Sequence, residues 1–420
     1  MLRLEGLKLP LDAEQEQLKM KAAAVLRCRE GDITGLQVLR RAIDARDGLR
    51  FVYTAAVTVK DEARLLNRCR DRRVSRYVPE TYALPPAVSA GAVPPVVVGM
   101  GPAGLFAALV LARCGARPVV LERGQCVERR QQDVERFWQN GVLDTESNVQ
   151  FGEGGAGAFS DGKLNTGTKD VRHRYIMEQL VTCGAPEDIL WDAKPHVGTD
   201  MLHIALQNMR RELLSLGADI RFGHKLTGIT VKGNHLTALT VESPEGLYTL
   251  PCRQALLVNV TPEDYGGGDD PLAGIRFQRQ LEAAAYKLGG GDYRAPCQRV
   301  EDFLLGHPTT EAGRVKPSYR PGVAYTDLHR CLPPFVAETI AGALPLLERK
   351  IRGYAAPDAL LTAVESRSSS PVRIHRDETY QCNIRGLYPC GEGAWYAGGI
   401  LSSAADGMRC AEQMIKEIRP

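Results

Sequence analysis

The feature that most constrains this fold is a glycine-rich turn between two apolar strands. Val96-Val97-Val98 runs directly into Gly99-Met100-Gly101-Pro102-Ala103-Gly104, a G-x-G-x-x-G sequence, and a helical pattern follows. A second apolar strand, Val119-Val120-Leu121, then ends in Glu122. A strand, a glycine turn, a helix and a strand that ends in an acid form the βαβ unit that binds dinucleotides. A glycine turn without a ligand is the alternative, and the register of these parts disfavours it.

Each residue of this unit has an expected role in holding a nucleotide diphosphate. Gly99 permits the tight turn, Gly101 lets the diphosphate approach the backbone, and Gly104 lets the helix pack on the strand. The N-terminus of the helix offers free N–H groups to negative charge. Glu122 can accept hydrogen bonds from both hydroxyls of an adenosine ribose, which favours a ribose without a 2′-phosphate. The residues expected at the adenine half are Gly99, Gly101, Pro102, Ala103, Gly104, Glu122 and Arg123.

The composition is that of an ordinary globular protein. The chain has 420 residues, 44% hydrophobic and 25% charged, with a net charge of +3. Nucleic acid is therefore an unlikely partner, and no apolar run has membrane-spanning length. The 11 cysteines are scattered and never have C-x-x-C spacing, which argues for reduced thiols and against a zinc site. We expect a cytoplasmic protein with no metal and no membrane partner.

Residues 1–85 have the pattern of a separate small α+β domain with the order β-α-β-β-α. Six arginines between Arg64 and Arg76 could contact RNA, but no stacking aromatic residues lie among them. A solvated helix face is the better interpretation. A proline-rich linker follows at residues 82–95.

A second glycine-rich stretch lies at residues 149–164, where flanking phenylalanines indicate a packed loop and not a flexible one. Such a loop can approach a planar or anionic ligand where a Cβ atom would clash. Gly154, Gly155 and Gly157 are candidates along the diphosphate and ring of the ligand. Lys163 is a candidate donor to either, and a surface lysine is an equally good interpretation.

The end of the chain predicts a second anion-binding helix terminus. A strand arrives at Gly391-Glu392, and Gly398-Gly399 immediately precedes a helix that begins near Ile400. Two such termini at opposite ends of the sequence fit a long ligand that is charged in its middle and electron-rich at one end. FAD fits this better than NAD, because a helix dipole near the pyrimidine edge favours the reduced ring. Glu392 is expected at the ribitol or diphosphate, and Gly398, Gly399 and Ile400 at the pyrimidine end.

Residues 259–363 contain few strand patterns, so we expect only an abbreviated substrate or cap region there, with two short helices in residues 332–350. No catalytic triad, metal cluster or pair of catalytic carboxylates stands out. His196 and Arg367 are weak substrate-site candidates: the first is more often structural, and the second can simply pair with Glu365. Cys390 lies near the predicted flavin end, but we expect no second cysteine near it, so a dithiol centre like that of a disulfide reductase is not expected.

Taken together, these stretches resemble the bacterial FAD-dependent dehydrogenase-like proteins with two dinucleotide-binding domains. The resemblance covers nearly the whole chain. It implies a glutathione-reductase-like FAD domain and redox activity on an unassigned substrate. The motifs that carry it lie at residues 98–109, 121–124, 148–157, 159–164, 194–200, 369–374, 387–393 and 396–400.

The chain departs from this family after the strand at Ala255–Val258. In the family that strand runs into a glycine turn of the FAD site and then into a large segment of the substrate domain. Here Asn259-Val260-Thr261 follows directly and resembles a much later stretch of the family, so the chain is similar to an internally shortened member. The consequence would be a more exposed flavin pocket.

The expected fold class is α/β. It comprises a Rossmann-like FAD-binding domain of three layers (ββα), a small N-terminal α+β domain and the abbreviated substrate or cap region. The predicted domains are 1–85, then 94–260 with 364–420 for FAD, and 261–363 between the two FAD segments. The predicted function is an FAD-dependent oxidoreductase that transfers hydride to or from a small-molecule substrate or a protein electron partner. Alternatives are a non-catalytic flavin- or nucleotide-binding protein and an RNA-binding flavoprotein.

Overall fold

The computed structural model describes residues 1–46, 48–160, 162–164, 166–258, 273–366 and 373–418. The N-terminal elements are β1 (Leu2–Leu9), α1 (Gln15–Leu26), β2 (Ile33–Asp44), β3 (Arg50–Val59), α2 (Glu62–Arg68) and β4 (Val74–Arg76). Next come β5 (Val96–Val98), α3 (Pro102–Arg113), β6 (Val119–Glu122), α4 (Val127–Asn140), α5 (Val171–Thr182), α6 (Thr199–Ser215) and β7 (Asp219–Phe222). The meander and the following strand are β8 (Lys225–Lys232), β9 (His235–Ser243), β10 (Gly246–Pro251) and β11 (Ala255–Leu257).

The remaining elements lie between residue 273 and the C-terminal helix. They are α7 (Ala273–Leu288), β12 (Ala295–Arg299), α8 (Val300–Leu305), β13 (Val323–Tyr325), α9 (Pro334–Lys350), β14 (Leu360–Thr362), β15 (Leu387–Pro389) and α10 (Ile400–Ile418). Short 3₁₀ turns occur at Glu30–Asp32, Ala156–Phe159, Glu187–Leu190 and Leu328–Arg330.

A parallel five-stranded sheet with the order β15-β11-β5-β6-β7 forms the centre of the molecule. All of its strands except the edge strand β7 are buried on both faces, so alternate residues enter two different cores. Val97 and Val120 pack toward α3, α6 and α10, whereas Val96 and Leu121 pack toward the meander β8–β10. Meander, sheet and helices are the three layers predicted from the sequence, and this fold class is confirmed.

The N-terminal sheet is antiparallel, with the order β2-β3-β1-β4. Leu2, Leu4 and Leu7 of β1 are fully buried, and they share a core with Leu18 and Leu26 of α1. The predicted β-α-β-β-α order is observed. The fourth strand was not predicted, because its three residues give no periodicity.

The edge strand β2 docks the N-terminal unit against the central one. The backbone N–H of Arg41 donates to the carbonyl of Trp191 at 2.7 Å, and Ala193 donates back to Arg41 at 2.8 Å. The Arg41 guanidinium adds two hydrogen bonds to Asp192, of 2.7 and 3.0 Å. This pairing gives hydrogen-bond partners to backbone groups of the edge strand β2 that would otherwise have none in the sheet.

Residues 273–366 build a third, smaller unit. Its sheet has the order β13-β12-β14 and only three to five residues in each strand. Val300, Phe303 and Leu328 are buried in its own core, together with Leu344 of α9. Residues 332–350 contain one helix where the sequence suggested two short ones. The domain boundaries stay predictions, and the one at residue 260 lies outside the described residues.

Within the described ranges, none of the helices is long and apolar enough to cross a membrane.

Candidate cofactor site

The glycine turn after β5 has the close-packed geometry that its sequence predicts. Gly99 has a φ of 94°, in the left-handed region that favours glycine. A Cβ atom on Gly104 would overlap the carbonyl oxygen of Gly99, so only glycine lets α3 approach the strand this closely. Gly101 is the N-cap of α3, and no side chain in the described part of the chain caps it. Backbone N–H groups therefore face outward at this helix end.

The second glycine loop lies directly against this helix end. A Cβ atom on Gly155 would stand 3.2 Å from the Cα of Gly101, and the N–H of Gly154 donates to the carbonyl of Met100 at 2.8 Å. Gly154 and Gly155 both have positive φ values, 83° and 62°. The two glycine segments thus pack backbone against backbone at the start of α3.

The C-terminal segment joins the same place. A Cβ atom on Gly157 would be 3.2 Å from Cγ1 of Ile400, the first residue of α10. One on Gly391 would be 2.9 Å from the Cβ of Ala103. Deeper in the helix layer, a Cβ atom on Gly407 would overlap the carbonyl oxygen of Ala103, so α10 crosses the first turn of α3 in close contact. Two segments almost 300 positions apart in sequence, near residues 100 and 399, therefore meet.

Glu122 and Arg123 follow β6 at the edge of this surface. The Glu122 side chain is buried, and its two oxygens accept hydrogen bonds from the N–H groups of Met100 (2.7 Å) and Gly124 (2.9 Å). Each oxygen keeps a further lone pair. Arg123 stacks 3.9 Å over the ring of Phe151 and pairs with Glu146 at 2.6 Å. Both side chains are thus held rigidly beside the predicted nucleotide position.

The other candidates have different environments. Lys163 and His196 are exposed and face each other across an antiparallel bridge. The side chain of Glu392 is accessible to solvent, yet desolvation by the surrounding protein raises its pKa, as expected in a cleft. Gly398 is exposed, and the carbonyl of Gly399 accepts the N–H of Ser403 in the first turn of α10. Arg367 lies outside the described residues.

Sequence reasoning missed Arg130, the largest fully buried side chain. This α4 guanidinium donates to four backbone carbonyls, those of Asn148, Val149, Glu153 and Gly155, at 2.7–2.9 Å, and makes a longer contact of 3.4 Å with Gly152. Burial lowers its pKa to about 10, which leaves it charged at neutral pH. An arginine on a polar helix gives no sequence signal for this role, because its acceptors are carbonyls 18–25 positions away.

Glu153 was also missed. It is fully buried, and its Oε2 accepts from the N–H of Val127 (2.8 Å) and from Arg210 (2.6 Å). Its Oε1 has no hydrogen-bond partner within the described residues. Burial raises the pKa of this carboxyl to about 7.

A buried polar cluster lies behind β15. Asp406 accepts two hydrogen bonds from Arg376, at 2.6 and 2.9 Å, and one from the N–H of Gly391 at 2.9 Å. Cys390 and Cys410 lie beside it, with the ligand atoms of all three residues within 4.8 Å of one another. The expectation that Cys390 has no cysteine neighbour is therefore wrong, since Cys410 approaches it from α10.

Neither metal binding nor thiol chemistry fits this cluster. Arg376 already supplies the cation that neutralises Asp406, and it also contacts Sγ of Cys410 at 3.6 Å. Both thiols are fully buried, and burial raises the pKa of Cys390, which keeps it protonated and unreactive. The Arg376–Asp406 pair instead fixes Gly391 and thereby the turn after β15.

The arrangement fits FAD on structural grounds. The glycines let three segments of backbone approach one another closely beside the uncapped end of α3. Backbone N–H groups at a helix N-terminus suit a diphosphate. Glu122 stands where an adenosine ribose would lie, and α10 begins at the opposite end. The assignment of individual residues to FAD stays a prediction.

Comparison with known proteins supports this interpretation. Residues 252–368 match the family model "FAD-dependent protein, C-terminal domain-like", and residues 1–59 match a domain of unknown function. An uncharacterized protein of Clostridium beijerinckii is 35% identical over 527 aligned positions, which cover 99% of each chain. The chain therefore belongs to the same family as this clostridial protein, a family of FAD-dependent proteins, and FAD is its cofactor.

Solved structures with a similar fold are distant. Glycine oxidase of Bacillus cereus is 14% identical over 77% of this chain and 95% of its own, with a TM-score of 0.35. Thioredoxin reductase of Lactococcus lactis is 14% identical over 78% and 99%, with a TM-score of 0.32. A 3-ketosteroid dehydrogenase of Rhodococcus jostii is 12% identical over 80% and 100%, with a TM-score of 0.36. Similarity this low says nothing about the substrate of this chain.

The clostridial alignment bears on the predicted internal shortening. Its 527 positions exceed the 420 residues of this chain by 107, so at least 107 positions of the relative have no counterpart here. Because 99% of this chain is aligned, these extra positions of the relative correspond to gaps inside this chain and not to extensions at its ends.

Proposed function

We propose that the protein is an FAD-dependent oxidoreductase that transfers hydride between FAD and a small molecule or a protein electron partner. The observation that carries the proposal is the meeting of three segments, the N-terminus of α3, the loop Gly154–Gly157 and the N-terminus of α10. They pack against one another with little more than backbone between them, and an acid, Glu122, accepts the N–H of Met100 beside the glycine turn.

Bound FAD would supply the redox chemistry of this site. The chain's own residues bind and orient it. Gly99 and Gly104 allow the turn and the close packing of α3, Gly101 is proposed to let the diphosphate approach the backbone, and the start of α3 offers it N–H groups. Glu122 is proposed to accept hydrogen bonds from the ribose, and Glu392 to contact the ribitol. The N-terminal dipole of α10 would favour negative charge on the pyrimidine edge of the ring and so favour the reduced flavin.

A substrate or electron donor must reach the flavin without a second nucleotide domain in the same chain, since the sequence holds one full dinucleotide fingerprint. Lys163 and His196, exposed side by side next to the glycine loop, are the proposed polar contacts for an incoming molecule. Arg367 is kept as a weaker candidate from the sequence alone.

The missing 107 positions favour one alternative, a flavin-binding protein without turnover. Anaerobic titration of the purified flavoprotein separates the two. An oxidoreductase is expected to be bleached by NADH, NADPH or dithionite and to recover its colour with a quinone or ferricyanide over many cycles. Stoichiometric FAD that dithionite reduces, but that no donor and acceptor pair turns over, would favour the alternative.

A further inference from the structure

Arg130 has a bonding pattern unlike that of a structural ion pair. It is fully buried, yet its hydrogen-bond acceptors are neutral backbone carbonyls and not a carboxylate. Glu122 and Glu153 act on it only through space. Burying a guanidinium that pairs with no carboxylate costs folding free energy. This cost suggests that the arrangement of the surrounding loop has a functional role.

The carbonyls come from one short loop, residues 148–155. In a trans peptide the C=O and the following N–H point in opposite directions. The carbonyl of Glu153 points to Arg130, and the N–H of Gly154 in the same peptide points to the carbonyl of Met100. The carbonyl of Gly155 likewise points to Arg130, so the N–H of Ala156 faces away from it.

The glycines of the loop fit around this side chain. A Cβ atom on Gly152, where φ is 124°, would lie 2.5 Å from Cδ of Arg130. Gly155, which accepts from Nη1 of Arg130 at 2.8 Å, abuts Gly101 at the start of α3. One residue thus separates the guanidinium from the N-cap at which the diphosphate is proposed to lie.

We propose that Arg130 is a positioning residue for the diphosphate of FAD. Its planar guanidinium binds the carbonyls of the second glycine loop, which holds Gly155 against the start of α3 and places a positive charge one residue behind it. This proposal rests on the proposed FAD site. It concerns a residue that touches no ligand, and it explains why the loop needs glycine at positions 152 and 155.

The test uses apo-protein prepared by removal of the flavin, and calorimetric titration with two probes, ADP and adenosine. Both share the nucleoside that Glu122 is proposed to hold, and only ADP carries the diphosphate. The variants are Arg130→Gln and Arg130→Lys. The matched control is Arg129→Gln, the neighbouring α4 arginine, which is 59% exposed and pairs with Asp133 at 3.5 Å.

Wild-type protein and Arg129→Gln are expected to bind ADP more tightly than adenosine by the same ratio. Arg130→Gln is expected to lose about tenfold of the ADP affinity while the adenosine affinity changes less than threefold. Arg130→Lys keeps the charge but lacks the planar fork, so its ratio should resemble that of Arg130→Gln. Gly152→Ala, which displaces the guanidinium without changing any charge, should reduce the ratio as well.

Three results would overturn the proposal. They are an unchanged ratio in Arg130→Gln, a ratio fully restored in Arg130→Lys, and an equal loss of affinity for both probes, which would indicate only a general structural role. Wild-type protein that binds neither FAD nor ADP would instead reject the proposed function itself. If Arg130→Gln fails to fold, the Arg130→Lys and Gly152→Ala ratios decide.

Discussion

At the scale of single residues, Glu153 combines complete burial with an oxygen that has no partner among the described residues. The groups around it are Arg210 of α6, Glu128 and Arg130 of α4, and Glu122 of β6. Desolvation outweighs the nearby arginines and raises its pKa from 4.5 to about 7. The folded protein therefore holds a proton that the unfolded chain releases.

This proton makes stability depend on pH. Between pH 4.5 and 7 the folded state binds more protons than the unfolded state, so the free energy of unfolding falls as pH rises through this window. Glu153 alone accounts for a fall of about 3 kcal/mol. Glu153→Gln cannot titrate, so the stability of wild type relative to this variant should fall by that amount between pH 5 and pH 8 in urea denaturation. A constant difference across this range would contradict the assigned burial of the carboxyl.

The glycines of the site could be predicted from the sequence, whereas the side chains that hold the glycine turns in place could not. Gly99, Gly101 and Gly104 form a local pattern whose spacing carries its own explanation. Arg130 and Asp406, which hold the flanking turns, are ordinary charged residues whose partners are brought near only by the folded chain. Cys410 beside Cys390 is a similar case, since 20 positions separate them in sequence.

At the scale of elements, the crossing of α3 and α10 determines the site, because it joins the two distant segments. Gly407 is the point of closest approach. Long amphipathic and alternating patterns identified most helices and strands, including the meander, but not the 12-residue helix α5. Short elements such as β4 and β13 escaped because three residues give no period. Residues 332–350 were predicted to form two short helices, whereas they form the single helix α9, which contains Pro345.

Gly407→Ala should separate the two helices. The added methyl group would overlap the Ala103 carbonyl, and we expect a destabilisation of about 1–3 kcal/mol with a loss of bound FAD, since Ala103 lies in the first turn of α3. The measurements are denaturant unfolding and flavin content.

The matched control is Gly342→Ala in α9, where no atom lies within 4 Å of the new Cβ. Helix propensity predicts that this change is neutral or stabilises by up to about 1 kcal/mol. Equal effects of the two substitutions would show that α3 and α10 do not cross at Gly407.

At the scale of the whole molecule, the N-terminal unit is held partly by the pairing of β2 with residues 191–193. The ion pair of Arg41 and Asp192 belongs to this contact, and about 27–30% of each side chain is exposed. This docking was not predicted from the sequence. Backbone pairing between two separate units does not depend on side-chain type, so it produces no periodic pattern in the sequence.

A double-mutant cycle with Arg41→Ala and Asp192→Ala should give a coupling energy of up to about 1 kcal/mol, because solvent screens a half-exposed pair. The single variants should also increase proteolytic cleavage in the linker at residues 82–95. A coupling energy of zero together with unchanged proteolysis would mean that the two units are not docked through this pair.

The central claim is that segments near residues 100 and 399 together bind one FAD, and the visible absorption spectrum of the protein as purified tests it most directly. We expect a yellow protein that releases one FAD per chain on denaturation, and a colourless Gly101→Val variant that does not take up added FAD. A wild-type protein that is colourless and cannot be loaded with FAD, or a Gly101→Val variant with unchanged flavin content, would contradict the account.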